Sequence, residues 1–296
     1  METKKIISRW LIAGVAIGLT IGSCKKEQPA ADDTDTQAAS DNAQAESVSN
    51  DVTNMADQAA ANGTSASFKM SGSELFSPCA TIDVSKDTVI LPSTDTVNTI
   101  TIDFRASCLC KDNRYRKGQI IITQYKRWWQ KNSYRMISFN GYFVGKTTDA
   151  MHQIEGTHKV TFNGPDLRTL LTSTNTTNPT WTIEAKEMKI TAPNGKYHTW
   201  NSTRTREWSE GYKTPNWLDD VYLITGGADG TNSNGSGYKA TITSALKRKI
   251  SCSWFVSGTV EITPTGKKTR TVDFGNGTCD DKATVTIGSK TYNITK

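Results

Sequence analysis

Histidine is scarce in this chain: three copies in 296 residues, His152, His158 and His198. A site built from several imidazoles has little to draw on. No H-E-x-x-H, nucleophile elbow or Walker loop occurs, which removes the commonest signatures of zinc hydrolysis, serine hydrolysis and nucleotide binding. Long apolar runs are also missing. The longest is the 12-residue stretch 10–21, short of the ~20 residues a membrane-spanning helix needs. There is no long amphipathic helix to cross between parallel strands, so any sheet here is antiparallel. Residues 25–66 contain no aromatic residue at all.

The amino terminus has the layout of an export signal: Lys4, Lys5 and Arg9, the apolar run, then Gly22 and Ser23 before a cysteine. Ile21-Gly22-Ser23-Cys24 resembles a lipobox, which makes 1–23 a removed signal peptide and Cys24 the lipidated first residue of the mature chain. Acyl chains contribute ~0.8 kcal/mol per buried methylene and would hold the protein on a membrane. Residues 24–66 follow as a tether. Eight acids (Glu27, Asp32, Asp33, Asp35, Asp41, Glu46, Asp51, Asp57) face two lysines, a net −6. Such composition buries too little apolar area to offset ordering entropy, so the tether is expected to be disordered. Val48, Val52, Met55 and Ala59 do recur at helical spacing, but an isolated stripe that thin makes only a marginal helix.

Residues 67–296 carry a net +10, a basic domain suited to polyanions. They alternate Thr, Val, Ile, Tyr and Trp with polar residues, punctuated by Gly, Asn and Pro. The expected strands are 81–84, 97–104, 117–128, 133–144, 151–162, 180–190, 196–208, 221–225, 237–243, 250–263, 267–274, 281–287 and 290–295. The expected fold is all-β: an antiparallel meander of about twelve strands forming a curved sheet, sandwich or open barrel. The one helical hint is Gly164–Leu171, with Pro165 near its start. Gly288-Ser289 reads as a two-residue hairpin turn. At Pro264-Thr265-Gly266-Lys267 a one-residue bulge pairs Val260 with Val272 and keeps apolar residues on one face.

Five cysteines remain after Cys24. Cys252 and Cys279 stand at matching heights of one hairpin and both point inward, so a disulfide is expected. Cys79 can reach Cys108 or Cys110. Cys108-Leu109-Cys110 has no second pair at zinc spacing, so no metal or other cofactor is expected.

Few stretches suggest chemistry. His152 and His158, six residues apart, stand ~20 Å apart along a strand. Asp219 and Asp220 face apart if they are in a strand. Gly226–Gly235 lacks the leading ligand of a calcium loop and reads as an exposed hairpin loop. The best candidate is the strand 196–208. Period two puts His198, Trp200, Arg204, Arg206 and Trp208 on one side, expected to face water, with Tyr197, Thr199 and Thr205 inward. Aromatics beside arginines can stack on sugars while the guanidinium groups take phosphate, sulfate or carboxylate. A second basic-aromatic run is 126–131.

The chain resembles a group of uncharacterised lipoproteins from Bacteroidota-type bacteria. The resemblance rests on the lipobox, Ile102-Asp103-Phe104 with Cys108 and Arg116–Ile120, Thr203-Arg204-Thr205, Leu218-Asp219-Asp220 with Ile224-Thr225-Gly226, and Asp273–Asp280. It covers most of 79–296, and departs from the pattern at Arg105 and Cys110. It implies an outer-membrane location, on the periplasmic face or cell surface, and no mechanism. The expected function is a non-catalytic envelope lipoprotein binding an anionic or carbohydrate partner, such as an anionic polysaccharide. The alternatives are a docking subunit of an envelope protein complex and, third, an enzyme on surface glycans. No nucleic-acid partner is expected.

Overall fold

The computed structural model describes residues 33–62 and 77–295, apart from 93–94, 173, 175–176 and 217. The signal 1–23, Cys24 and residues 25–32 lie outside the described residues. One helix precedes the sheet, α1 (Gln37–Asn62). The strands are β1 (Thr81–Val84), β2 (Thr88–Val89), β3 (Thr96–Asp103), β4 (Cys108–Leu109), β5 (Tyr115–Tyr125), β6 (Tyr134–Gly145) and β7 (His152–Phe162). After the short helix α2 (Leu167–Thr172) come β8 (Thr180–Thr191), β9 (Tyr197–Glu210), β10 (Val221–Thr231), β11 (Gly237–Lys249), β12 (Ser257–Pro264), β13 (Arg270–Asn276), β14 (Lys282–Ile287) and β15 (Lys290–Thr295).

The expected meander is present as one open, curved antiparallel sheet. From β5 onward every strand pairs with its successor, and the path ends at β1 on one side and β15 on the other. The two short strands β2 and β4 pair with β3 and β5 off that path. The alternation that identified the strands is the alternation of burial: β9 places its even-numbered residues 198–208 inside. Val260 pairs with Val272, as the bulged turn requires, and Ile287 pairs with Lys290 across the two-residue turn. Bulges help the sheet curl. At Gly226 the register with β11 shifts and φ is +117°. A side chain there would run into the carbonyl oxygen of Thr203, so only glycine lets the neighbouring backbone approach.

Several boundaries differ from the expected ones: β11 runs on to Lys249 instead of 243, β5 ends at Tyr125 instead of 128, and the short β2 and β4 are not among the expected strands. The glycine-rich run expected as a loop is strand through Thr231, because β9 offers Gly226–Thr231 an unbroken ladder from Arg204 to Thr199. The backbone bonds of that ladder need no side chains. Conversely, 250–256 is a turn, and β12 begins only at Ser257.

The tether is the larger correction. Residues 37–62 are not disordered: they form α1, which belongs to the same compact unit as the sheet. Val48, Val52, Met55 and Ala59 are all buried. So are the polar residues Asn42, Glu46, Ser49 and Thr53. An isolated helix of this composition would be marginal, and tertiary packing supplies what propensity does not. The sheet curls around α1, so its side chains meet β5, β6, β7 and β9, while Asp33, just before the helix, meets β13.

Candidate functional site: a basic concave face filled by an acidic helix

The concave face carries bases at positions that share strand parity with the core. Arg116, Arg204, Arg206 and Arg270 are at most 2% exposed. Each is answered from α1 or the residues just before it. The Arg270 guanidinium donates to both Asp33 oxygens at 2.8 Å and to the Asp35 carbonyl at 3.0 Å. Lys267 pairs with Asp35. Arg204 pairs with Glu46. Arg116 reaches both Asp51 oxygens at 3.0 and 2.9 Å, and Arg114 adds a contact at 2.9 Å. Asp57 is shared between Arg206 at 2.8 Å and Arg135. His198 lies 3.7 Å from Asp41, which also accepts from the Ser233 N–H at 2.7 Å.

All six acids of residues 33–62 thus meet a base of the sheet. Their spacing explains why the helix must be surrounded. Asp41, Glu46 and Asp51 step by five residues, a turn of roughly 140° each. They therefore spiral around the helix instead of lining one side. A buried carboxylate is tolerable only when paired and hydrogen-bonded, so bases are needed on several sides, and the curled sheet provides them.

Neutral contacts complete the match. Trp200 Nε1 donates to Asn42 Oδ1 at 3.0 Å. His158 Nε2 lies 3.1 Å from Ser49 Oγ, and both side chains are buried. Arg206 also stacks over Trp181 and Tyr222, 5.0 and 4.7 Å from their ring centres. Nearby, Trp208 and Tyr222 stack at 5.7 Å.

The ionisation states follow from this packing. Burial opposes charge on Asp57, but the Arg135 and Arg206 charges outweigh it and hold the carboxyl below its usual range. Burial likewise opposes charge on Arg116, and Asp51 and Asp112 overcome it to keep the guanidinium firmly charged. His158 has no such partner, and burial pushes it down to about 4. Burial lowers His198 too, against the pull of Asp41.

The five-residue platform is corrected accordingly. His198, Trp200, Arg204, Arg206 and Trp208 do share one face, but that face is internal, with exposures of 3, 0, 2, 2 and 5%. Tyr197, expected inside, is 52% exposed. Period two identifies which residues share a side, and α1 decides which side is dry. The other basic-aromatic stretch, 126–131, is the turn after β5. Its Trp128 and Trp129 are half-buried against the core, and Arg168 sits 4.3 Å over Trp129. Of the acid pair, Asp220 is buried and Asp219 is exposed, accepting from the Thr214 hydroxyl at 2.8 Å.

The cysteines pair as Cys79–Cys108 and Cys252–Cys279, with Cα separations of 5.5 and 5.3 Å. Cys110 is a buried thiol whose pKa burial raises. Among the described residues no group of three His, Cys, Asp or Glu is placed to hold a metal ion.

The chain matches no family model, no curated protein and no solved structure. What the concave face can do chemically is bind carboxylates on a helix. Its partner in this chain is α1. The signal that could have revealed it is parity: Arg116, Arg135, Arg204, Arg206 and Arg270 sit in register with core residues, and each inward base calls for an acid.

Proposed function

We propose that this chain is a lipid-anchored envelope lipoprotein, akin to those of Bacteroidota-type bacteria, whose sheet and helix form one non-catalytic binding module for an anionic partner near the membrane. The observation that supports it is the docking of α1. Asp33 lies nine residues after Cys24, a span of at most about 32 Å. A free 24–66 tether would reach well over 100 Å. With α1 bound inside the sheet, an anchor at Cys24 would hold the domain beside the bilayer instead of far above it. The interior bases are committed to α1, so partner binding falls to the outer surface, where many lysines are exposed.

Two measurements test this reading. Labelled palmitate should enter the wild-type chain and not Cys24→Ala; equal labelling of both would remove the anchor. The domain should be retained on an acidic polysaccharide column at low salt and released as salt screens its lysines. Failure to bind any polyanion at low salt would remove the anionic partner. A second reading, docking onto another envelope protein, is favoured by the sheet's two ends. Neither β1 nor β15 has a strand neighbour on its outer side among the described residues, and a free edge can accept a strand.

A further inference from the structure

Beside the start of α1 the hairpins β10–β11 and β12–β13 enclose an open recess of about 720 Å³. Its charged lining is Lys239, Lys267 and Lys268 against Asp229, with Thr263 and Thr265 between them. The walls are braced. Thr265 donates its N–H and its hydroxyl to the Gly237 carbonyl at 2.9 and 3.1 Å, and Arg270 holds the Lys268 carbonyl. Asp35 engages Lys267, while Lys239 and Lys268 are exposed.

We propose that this recess is a binding site for the phosphate headgroup of an anionic membrane lipid. The proposal rests on the lipid-anchor reading. Position and charge carry it together. Asp35, the acid on Lys267, lies eleven residues from Cys24, so the anchoring bilayer is within about 40 Å of the recess. Its volume falls in the range of small-ligand sites. Its excess of ammonium groups suits a phosphate, which lysine binds as a point charge. A basic patch next to the lipid anchor adds electrostatic attraction to anionic lipid, about 1 kcal/mol per lysine near the surface. Such a contact also sets orientation: the ends of β10, β12 and β14 face the bilayer, and the turns after β5 and β9 point away.

The test uses residues 25–296, which contain the whole compact unit but no acylated cysteine. Co-sedimentation is measured on phosphatidylcholine vesicles with and without phosphatidylglycerol. Binding should require the anionic lipid and weaken with salt. Lys239→Gln and Lys268→Gln should each weaken it about fivefold, and the pair about thirtyfold. Both variants should melt as the wild type does, since the side chains are exposed. Lys131→Gln with Lys213→Gln, in the turns after β5 and β9, should bind normally.

Equal binding to neutral and anionic vesicles would overturn the proposal, as would undiminished binding by the Lys239/Lys268 pair variant. Inorganic phosphate is the remaining probe. If it raises the melting temperature of the wild type but not of the pair variant, while vesicles show no preference, the recess holds a free anion and the lipid assignment fails. Loss of palmitate labelling in the full chain would remove the anchor alone, so the two failures are distinguishable.

Discussion

Glu46→Gln is the most direct probe of the helix in the groove. The replacement keeps shape and volume and removes one charge. Arg204 is 2% exposed, and Glu46 is its ion-pair partner in the dry interior. Its Nε and Nη1 have no other hydrogen-bond acceptor among the described residues. The variant therefore leaves a guanidinium buried without its counter-charge. Breaking a buried pair from one side costs about 3–5 kcal/mol. A domain of this size loses about 2–4 °C of melting temperature per kcal/mol, so a drop of roughly 6–20 °C is expected. Urea denaturation should show the same loss in its midpoint. Replacing both partners by apolar residues, Glu46→Leu with Arg204→Met, should recover most of it, since neither charge is then stranded. A double-mutant cycle isolates the pair term. If Glu46→Gln melts within about 2 °C of wild type and the cycle shows no coupling, α1 is not held as described, and the argument from its docking to a membrane-proximal domain fails with it.

Three further outcomes are expected. Trp200→Ala should cost ~3–5 kcal/mol, because the side chain is fully buried and its N–H is bonded to Asn42. Tyr197→Ala, one residue away on the outer face, should change stability by less than about 0.5 kcal/mol. His158 titrates near 4 in the folded chain against an ordinary 6.5, so between those values the unfolded chain binds the extra proton. Stability therefore rises with pH across that window. Acidification from pH 7 to pH 4 should cost wild type on the order of 3 kcal/mol more than His158→Gln; parallel pH profiles would contradict this. Asp57 adds a further loss below pH 4, where protonation removes the carboxylate that Arg135 and Arg206 hold. Finally, peptides containing Cys252 and Cys279 should stay linked under non-reducing conditions. Cys252→Ser should cost about 3–4 kcal/mol for a bridge spanning 27 residues.

The sequence by itself determined the sheet. Period-two alternation is local, so the long strands announced themselves, though not the two-residue β2 and β4 or the glycine-rich end of β10, and turn chemistry set register where a slip would have exposed a whole face. The pairing of Val260 with Val272 follows from keeping apolar residues on one side. The grouping of His198, Trp200, Arg204, Arg206 and Trp208 follows from the same period. What local pattern cannot contain is the identity of the medium on each side of a strand. Only the tertiary structure decided that, by bringing Asp41, Glu46, Asp51 and Asp57 to bases 60 to 160 residues away in the chain. Composition alone makes residues 37–62 too polar to fold, because it counts carboxylates as groups that must stay in water. Arginines buried on a curled sheet give those carboxylates another place to go, and the charge that marks a free tether in isolation becomes what holds a helix inside the fold.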